Sequence, residues 1–171
     1  MSSVPLWFER KFDFIFPAEN YPNLHIRLWG TPARLEEIVH GVPHQVMIEK
    51  PCGQWSAQEH AGHLGDLEPL WMSRVEDFLR DVGTLTIADL TNRKTEEANH
   101  NARTLEQILA EFRSARLRLF DCLGQLSPQA FRGTRLHPRL QQPMRLIDHL
   151  YFVAEHDDHH LAKIWEMTRR K

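Results

Sequence analysis

Glu155-His156-Asp157-Asp158-His159-His160-Leu161-Ala162-Lys163-Ile164 is the stretch that decides the fold. It lies in a run from Met144 to Arg169 with neither Gly nor Pro, which predicts one long helix. Helical residues four apart stack on one face. His156 and His160 are therefore spaced to share one metal ion. Phe152, Val153, Ile164 and Met167 are in phase with them, so this face is expected to point into a core. A His-rich turn can equally be a solvated face or a set of hydrogen-bonded core histidines. A third ligand from elsewhere would separate these readings.

The rest of the chain supplies helices to pack against this one. A first helix is expected from about Pro22 to His40, striped by Leu24, Leu28, Leu35, Ile38 and Val39. Gly30-Thr31-Pro32 should kink or break it, because Pro32 removes a donor and crowds a carbonyl. Residues 41–55 read as a loop. Ser56, with Glu59 three residues on, forms a capping box that opens a second helix running to about Arg80. His63, Leu67, Leu70 and Arg74 share a face of it, so His63 is expected to point inward. Pro69 should bend it locally. Residues 81–103 read as a long polar connection. Thr104 and Gln107 start a third helix with apolar positions at Leu105, Ile108, Leu109, Phe112, Leu119, Phe120 and Leu123. Residues 128–142 read as a loop. Ahead of all this, Trp7, Phe8, Phe12, Phe14, Phe16 and Tyr21 mark an aromatic arm, read as core cover rather than a substrate lid.

Four long amphipathic helices and no strand alternation indicate an all-α four-helix bundle, with residues 1–171 as one domain. Hydrophobic content of 42% and charged content of 26% suit a soluble globular protein. A net charge of −2 argues against a general nucleic-acid binder. Arg113, Arg116 and Arg118 on the third helix read as a solvated face, since Glu106 and Glu111 accompany them. No apolar run reaches membrane-span length. The start Met1-Ser2-Ser3-Val4-Pro5 lacks a secretory pattern, so the cytoplasm is the expected compartment. Two cysteines make no disulfide framework; Cys122 reads as core and Cys52 as a loop residue.

A bundle can carry a metal in its core, on side chains from facing helices. His156 and His160 come from the fourth helix and His63 from the second. Three protein nitrogens leave coordination positions open, as catalytic sites do. Neutral ligands leave the charge of a dication uncancelled. That charge draws anions and acidifies a bound water or thiol. His149, roughly 10 Å before His156 along the axis, reads as a support behind the ligands or as pocket lining. His159 points about 100° from His160 and reads as rim. His60 is either a proton carrier or a core histidine. Glu59 and Asp157 are candidates to orient ligand imidazoles, or ordinary surface charge. His156-Asp157-x-x-His160 has the histidine spacing of a zinc-protease helix, but Asp157 stands where that motif needs Glu. Only eleven residues follow His160, so a downstream ligand has little room.

Trp55-Ser56-x-x-Glu59-His60-x-x-His63-Leu64-x-x-x-Glu68, with Asp148-His149 and Glu155-His156-Asp157-x-His159-His160 downstream, resembles the DinB/YfiT-like family of metal-dependent enzymes. The similarity covers essentially the whole chain. The resemblance implies a bundle of up-down-down-up topology, often a homodimer. It implies a divalent metal, commonly nickel or zinc, on a His triad, which in this chain is His63, His156 and His160. Its implied chemistry is transfer or isomerisation with a low-molecular-weight thiol as cofactor and a small molecule as substrate. No catalytic residue beyond the ligands is assigned. The reading is therefore a metal-dependent transferase or hydrolase acting through a thiol or water. The alternative is a non-catalytic metal-binding or ligand-sensing stress-response bundle. A pocket over the metal, lined with basic groups, would favour the enzyme.

Overall fold

A computed structural model describes residues 4–80, 82–131 and 133–169. Met1 to Ser3, which entered the reading of the N-terminus, lie outside the described residues. So do Asp81 and Arg132 in the two connections.

Four helical columns form the bundle. The first is α1 (Tyr21–Trp29) and α2 (Thr31–Val39), broken at Gly30 just before Pro32 as expected. The second is α4 (Ala57–Asp66) and α5 (Glu68–Leu79). Ser56 caps it: its hydroxyl accepts from the Glu59 N–H at 3.1 Å, and Glu59 accepts from the Ser56 N–H at 2.9 Å. Pro69 has no N–H for the Gly65 carbonyl, and the column breaks at Leu67 rather than merely bending. The third column is α7 (Leu105–Gly124), where the Thr104 hydroxyl accepts from the Gln107 N–H. The fourth is α8 (Leu146–Thr168), opened by Asp148, which accepts from the Arg145 backbone at 2.8 Å.

The contacts fix the topology. Gln58 bonds Arg103 and Glu68 bonds Arg116, so the second and third columns run parallel. Arg27 bonds Glu155 and Arg34 bonds Asp158, so the first and fourth also run parallel. His60 meets His160 and Trp71 meets His149, so the second and fourth are antiparallel. This is the up-down-down-up order. A parallel second and third column needs a connection that returns the length of the bundle, which residues 80–104 provide.

Three expectations need correction. Residues 41–55 are not all loop: α3 (His44–Ile48) is a helical turn that plants Met47 among Leu35, Val39 and Ala57. The connection 81–103 also carries structure, with α6 (Arg93–Glu97) and a 3₁₀ turn at His100–Ala102. Residues 128–142 are not a loop either. β1 (Thr134–His137) pairs antiparallel with β2 (Gln142–Arg145), so the helix starts after Met144 rather than at it. The inward side chains of β1 are Arg135 and His137, so hydropathy alternation could not reveal the strand. Thr84 and Leu85 bind alongside Leu136 and tie the long connection to the hairpin.

Arg116 is not a solvated arginine. It is 1% exposed. It donates to Glu68 on α5 at 2.7 and 3.0 Å, to Asp157 on α8 at 2.7 Å and to the Leu28 carbonyl on α1 at 3.0 Å. Asp157 also accepts from Thr31 on α2 at 2.8 Å. One guanidinium thus ties the four columns together. Burial works against its charge, and the two carboxylates outweigh that and hold it cationic. Arg113 pairs with Glu36, and Arg118 lies exposed beside Ser114.

The aromatic arm packs as expected. Trp7 meets Phe152 edge to face, Phe12 meets it at a tilt, and the Arg145 guanidinium holds the Phe14 and Phe16 carbonyls. No helix among the described residues is long and apolar enough to cross a membrane.

Candidate metal centre

The Asp157 anchor sets the rotation of α8. With Asp157 turned to Arg116, its neighbour His156 faces α4, and His160 follows one turn later. Across the gap α4 presents His60 and His63. One ring nitrogen each of His63, His156 and His160 lies within 4.8 Å of the other two, and all three residues are buried. The sequence-derived triad therefore converges in space.

Hydrogen bonds select which nitrogens are offered. Thr95 donates its hydroxyl hydrogen to Asp66 at 2.9 Å, so toward His63 Nδ1, 2.9 Å away, it can only accept. His63 is then protonated on Nδ1 and has its lone pair on Nε2. His160 Nδ1 lies 2.8 Å from His60 Nδ1, which leaves His160 Nε2 free to face His156 Nε2 at 3.2 Å. Two nitrogens bound tetrahedrally at about 2.0 Å from a common ion would be roughly 3.3 Å apart. No carboxylate or amine enters the cluster among the described residues.

Burial drives every ring toward neutrality. His63 is pushed down to about 4, with Asp66 opposing and His100 adding to the fall. His156 and His160 lie well below the usual histidine value, first through burial and then through neighbouring rings. His60 falls to about 3 and His159 to about 4, both mainly through burial. Three desolvated neutral imidazoles with converging ring nitrogens are a donor set that suits a borderline divalent cation.

The residues that orient these rings differ from those expected. Glu59 caps α4 and pairs with Lys50; Asp157 serves Arg116; neither touches a triad ring. Thr95 and Asp66 steady His63 instead, and His100 completes the chain with Nε2 at 2.8 Å from Asp66. A methyl at Gly62 would lie 2.4 Å from the His100 ring, so only glycine lets that ring pack there. Sequence offered little sign of this chain, since Asp66 and Thr95 are 29 residues apart and meet only through the fold. His60 is buried, and its Nδ1 partners that of His160. His149 is wholly buried between Trp71 and Phe78 and stands apart from the triad.

The triad opens into a cavity of about 400 Å³. Trp55 leans over His63, its ring centre 4.7 Å away, and donates to Glu96 on α6 at 2.6 Å. Trp7 of the arm sits edge-on to His156 at 5.1 Å. The arm is therefore core cover and cavity wall at once. His159 lines the rim as expected, and Arg74, His137 and Arg139 line another part of the wall. A larger surface cavity of about 760 Å³ reaches Asp66 and His100 but none of the triad.

The fold has counterparts among known proteins. Among solved structures the chain resembles YfiT from Bacillus subtilis, described as a probable metal-dependent hydrolase with an unusual four-helix bundle topology. Identity is 22%, the match covers 95% of this chain and 93% of that one, and the TM-score is 0.79. At that identity the likeness establishes the fold. No curated protein matches the chain. The model of the DinB superfamily matches residues 27–164, a span that holds all three histidines. The chain belongs to the DinB superfamily.

Proposed function

We propose that this protein is a divalent-metal-dependent enzyme acting on a small electrophile. His63, His156 and His160 hold the ion, nickel or zinc, and one or more coordination positions face the cavity. The supporting observation is the triad itself: converging neutral imidazoles from two helices, opening into an apolar cavity with a basic wall. A solid core around the ion would have favoured mere storage or sensing. A bound ion would lower the pKa of a water to about 7, or deprotonate a thiol, and so supply a nucleophile at neutral pH.

The chain's own residues do the rest. Thr95 and His60 fix the two rings they touch, so the lone pairs stay aimed without reorganisation. Trp7, Trp55, Trp71 and Phe152 keep bulk water from the attacking group and supply an apolar bed for the substrate. YfiT is described as a probable metal-dependent hydrolase, which supports water as the attacking group. A low-molecular-weight thiol is the other nucleophile that this chemistry admits.

The test is metal analysis of protein purified without chelator, beside the triple variant His63→Ala, His156→Ala, His160→Ala. About one ion per chain is expected in the wild type and none in the variant. Wild type that neither retains nor takes up nickel or zinc ends the proposal. Ester and amide hydrolysis, with and without added thiols, then separates water from thiol.

A further inference from the structure

The wall that carries Arg74, His137 and Arg139 has no part in holding the triad, yet it is an unusual arrangement of charge. Arg74 is 2% exposed. Its Nε donates to the Thr86 carbonyl at 2.9 Å, and its Nη1 meets His137 Nε2 at 3.1 Å. Asp77 lies near enough to favour its charge, but Asp77 Oδ2 is taken by the Thr86 N–H and hydroxyl. Arg139, in the turn of the hairpin, rests over the Phe8 and Phe152 rings, and its Nη2 is buried without a hydrogen-bond partner. Neither guanidinium has a carboxylate within ion-pair distance among the described residues. Buried charges are normally paired.

His137 sharpens the point. Its Nδ1 lies 3.1 Å from the Leu140 N–H, which can only donate. Its Nε2 faces the Arg74 guanidinium, which also only donates. A neutral imidazole has one lone pair, so in either tautomer one of these contacts sets N–H against N–H. A protonated ring would make both contacts so. An acceptor beside Arg74 and His137 removes the conflict, and Arg139 has a free donor on the same wall. Trp71 sets the distance to the triad: its ring centre is 5.6 Å from the Arg74 guanidinium carbon and 5.4 Å from the His156 ring centre.

We propose that Arg74, His137 and Arg139 form a carboxylate-binding subsite, one aromatic ring's width from the metal triad. It holds the acid group of the substrate while the apolar body lies along Trp71 and Phe152. This rests on the proposed function only in placing the reacting atom at the triad; binding of the carboxylate does not need the ion. The substrate class is therefore a small carboxylic acid with an apolar body and a reactive group at its far end.

Phenylacetate and its neutral isostere phenylacetamide serve as probes, titrated by calorimetry into the full-length chain and into the triple His→Ala variant. The acid is expected to bind at least about tenfold more tightly than the amide in both proteins, as for a charge-assisted contact. Arg139→Met and Arg74→Met should each remove most of that preference. Arg139 makes no hydrogen bond among the described residues, so its variant keeps the test valid if Arg74→Met fails to fold. Equal binding of acid and amide in the triple variant overturns the proposal, because the acid would then be a ligand of the ion alone. Preference left intact in Arg139→Met also overturns it. A wild type without metal that still prefers the acid would end the enzyme reading and leave the subsite standing.

Discussion

Arg116 and Arg74 lie almost wholly inside this protein, and they are treated in opposite ways. Arg116 is surrounded by Glu68 and Asp157 and by the Leu28 carbonyl. Arg74 meets a backbone carbonyl and a neutral ring. Burial alone would push both guanidiniums down; Arg116 is instead raised by its carboxylates, whereas Arg74 falls to about 10. The first arrangement pairs its cation with two carboxylates and joins four columns. The second lacks an anion and faces a cavity. A buried charge that is fully paired belongs to the fold, and one that is not points toward a ligand.

The largest effect is expected from breaking the paired arrangement. Arg116→Met strands two buried carboxylates and should cost about 3–5 kcal/mol of stability, read from urea unfolding. It should also loosen the triad, since Asp157 no longer fixes the rotation that turns His156 inward. A loss below about 1 kcal/mol would show that the ion-pair knot is not what holds the columns.

Acid should act next, on the triad. His63 has a normal value of 6.5 and about 4 in the folded chain. Between those values the unfolded chain binds a proton that the folded one does not. Stability of the metal-free protein therefore falls as pH drops below 6.5, by roughly 3 kcal/mol from His63 alone, and levels off below its folded value. Unfolding of wild type and His63→Asn between pH 7.5 and 4.5 checks this. Parallel pH profiles for the two proteins would contradict it.

How far the sequence reveals these regions depends on whether a signal is local. The His156–His160 pair, the Ser56 box and the break before Pro32 rest on spacings within one helical turn or two, and each lies where it was read. Arg116 was misread from its acidic company, although it stands in phase with Phe112, Leu119 and Leu123 on the buried stripe of α7. That phase was the available signal. The hairpin was hidden because its inward positions are Arg135 and His137, polar by type and buried by context. The Thr95–Asp66–His100 chain could not be read at all, because nothing local links its members.

That chain gives a smaller and more specific effect. Asp66→Asn, or Thr95→Val, should weaken metal affinity about 10–100-fold while leaving the three ligands in place. Competition with a chelating dye measures it. The Arg116 knot makes no contact with Thr95 or Asp66, so unfolding of the metal-free protein should change less than for Arg116→Met. Unchanged affinity would mean that packing alone, chiefly against Trp55, orients His63.

The smallest expected change in stability is at the other arginine. Arg74→Met removes a bond to the Thr86 carbonyl and relieves the N–H facing His137. It leaves no buried carboxylate without a partner, because Asp77 keeps its contacts with Thr86. Losing one charge-assisted bond while ending one repulsive contact should cost about 1–2 kcal/mol. The methionine chain can still fill much of the space beside Trp71. The same substitution should take away most of the preference for an acid over its amide, so its effect on binding outweighs its effect on folding. For Arg116 that order is reversed. If Arg74→Met destabilises as much as Arg116→Met, then Asp77 and Thr86 hold Arg74 as a structural cation. The distinction between a paired charge that builds the bundle and an unpaired one that awaits a ligand would then fail.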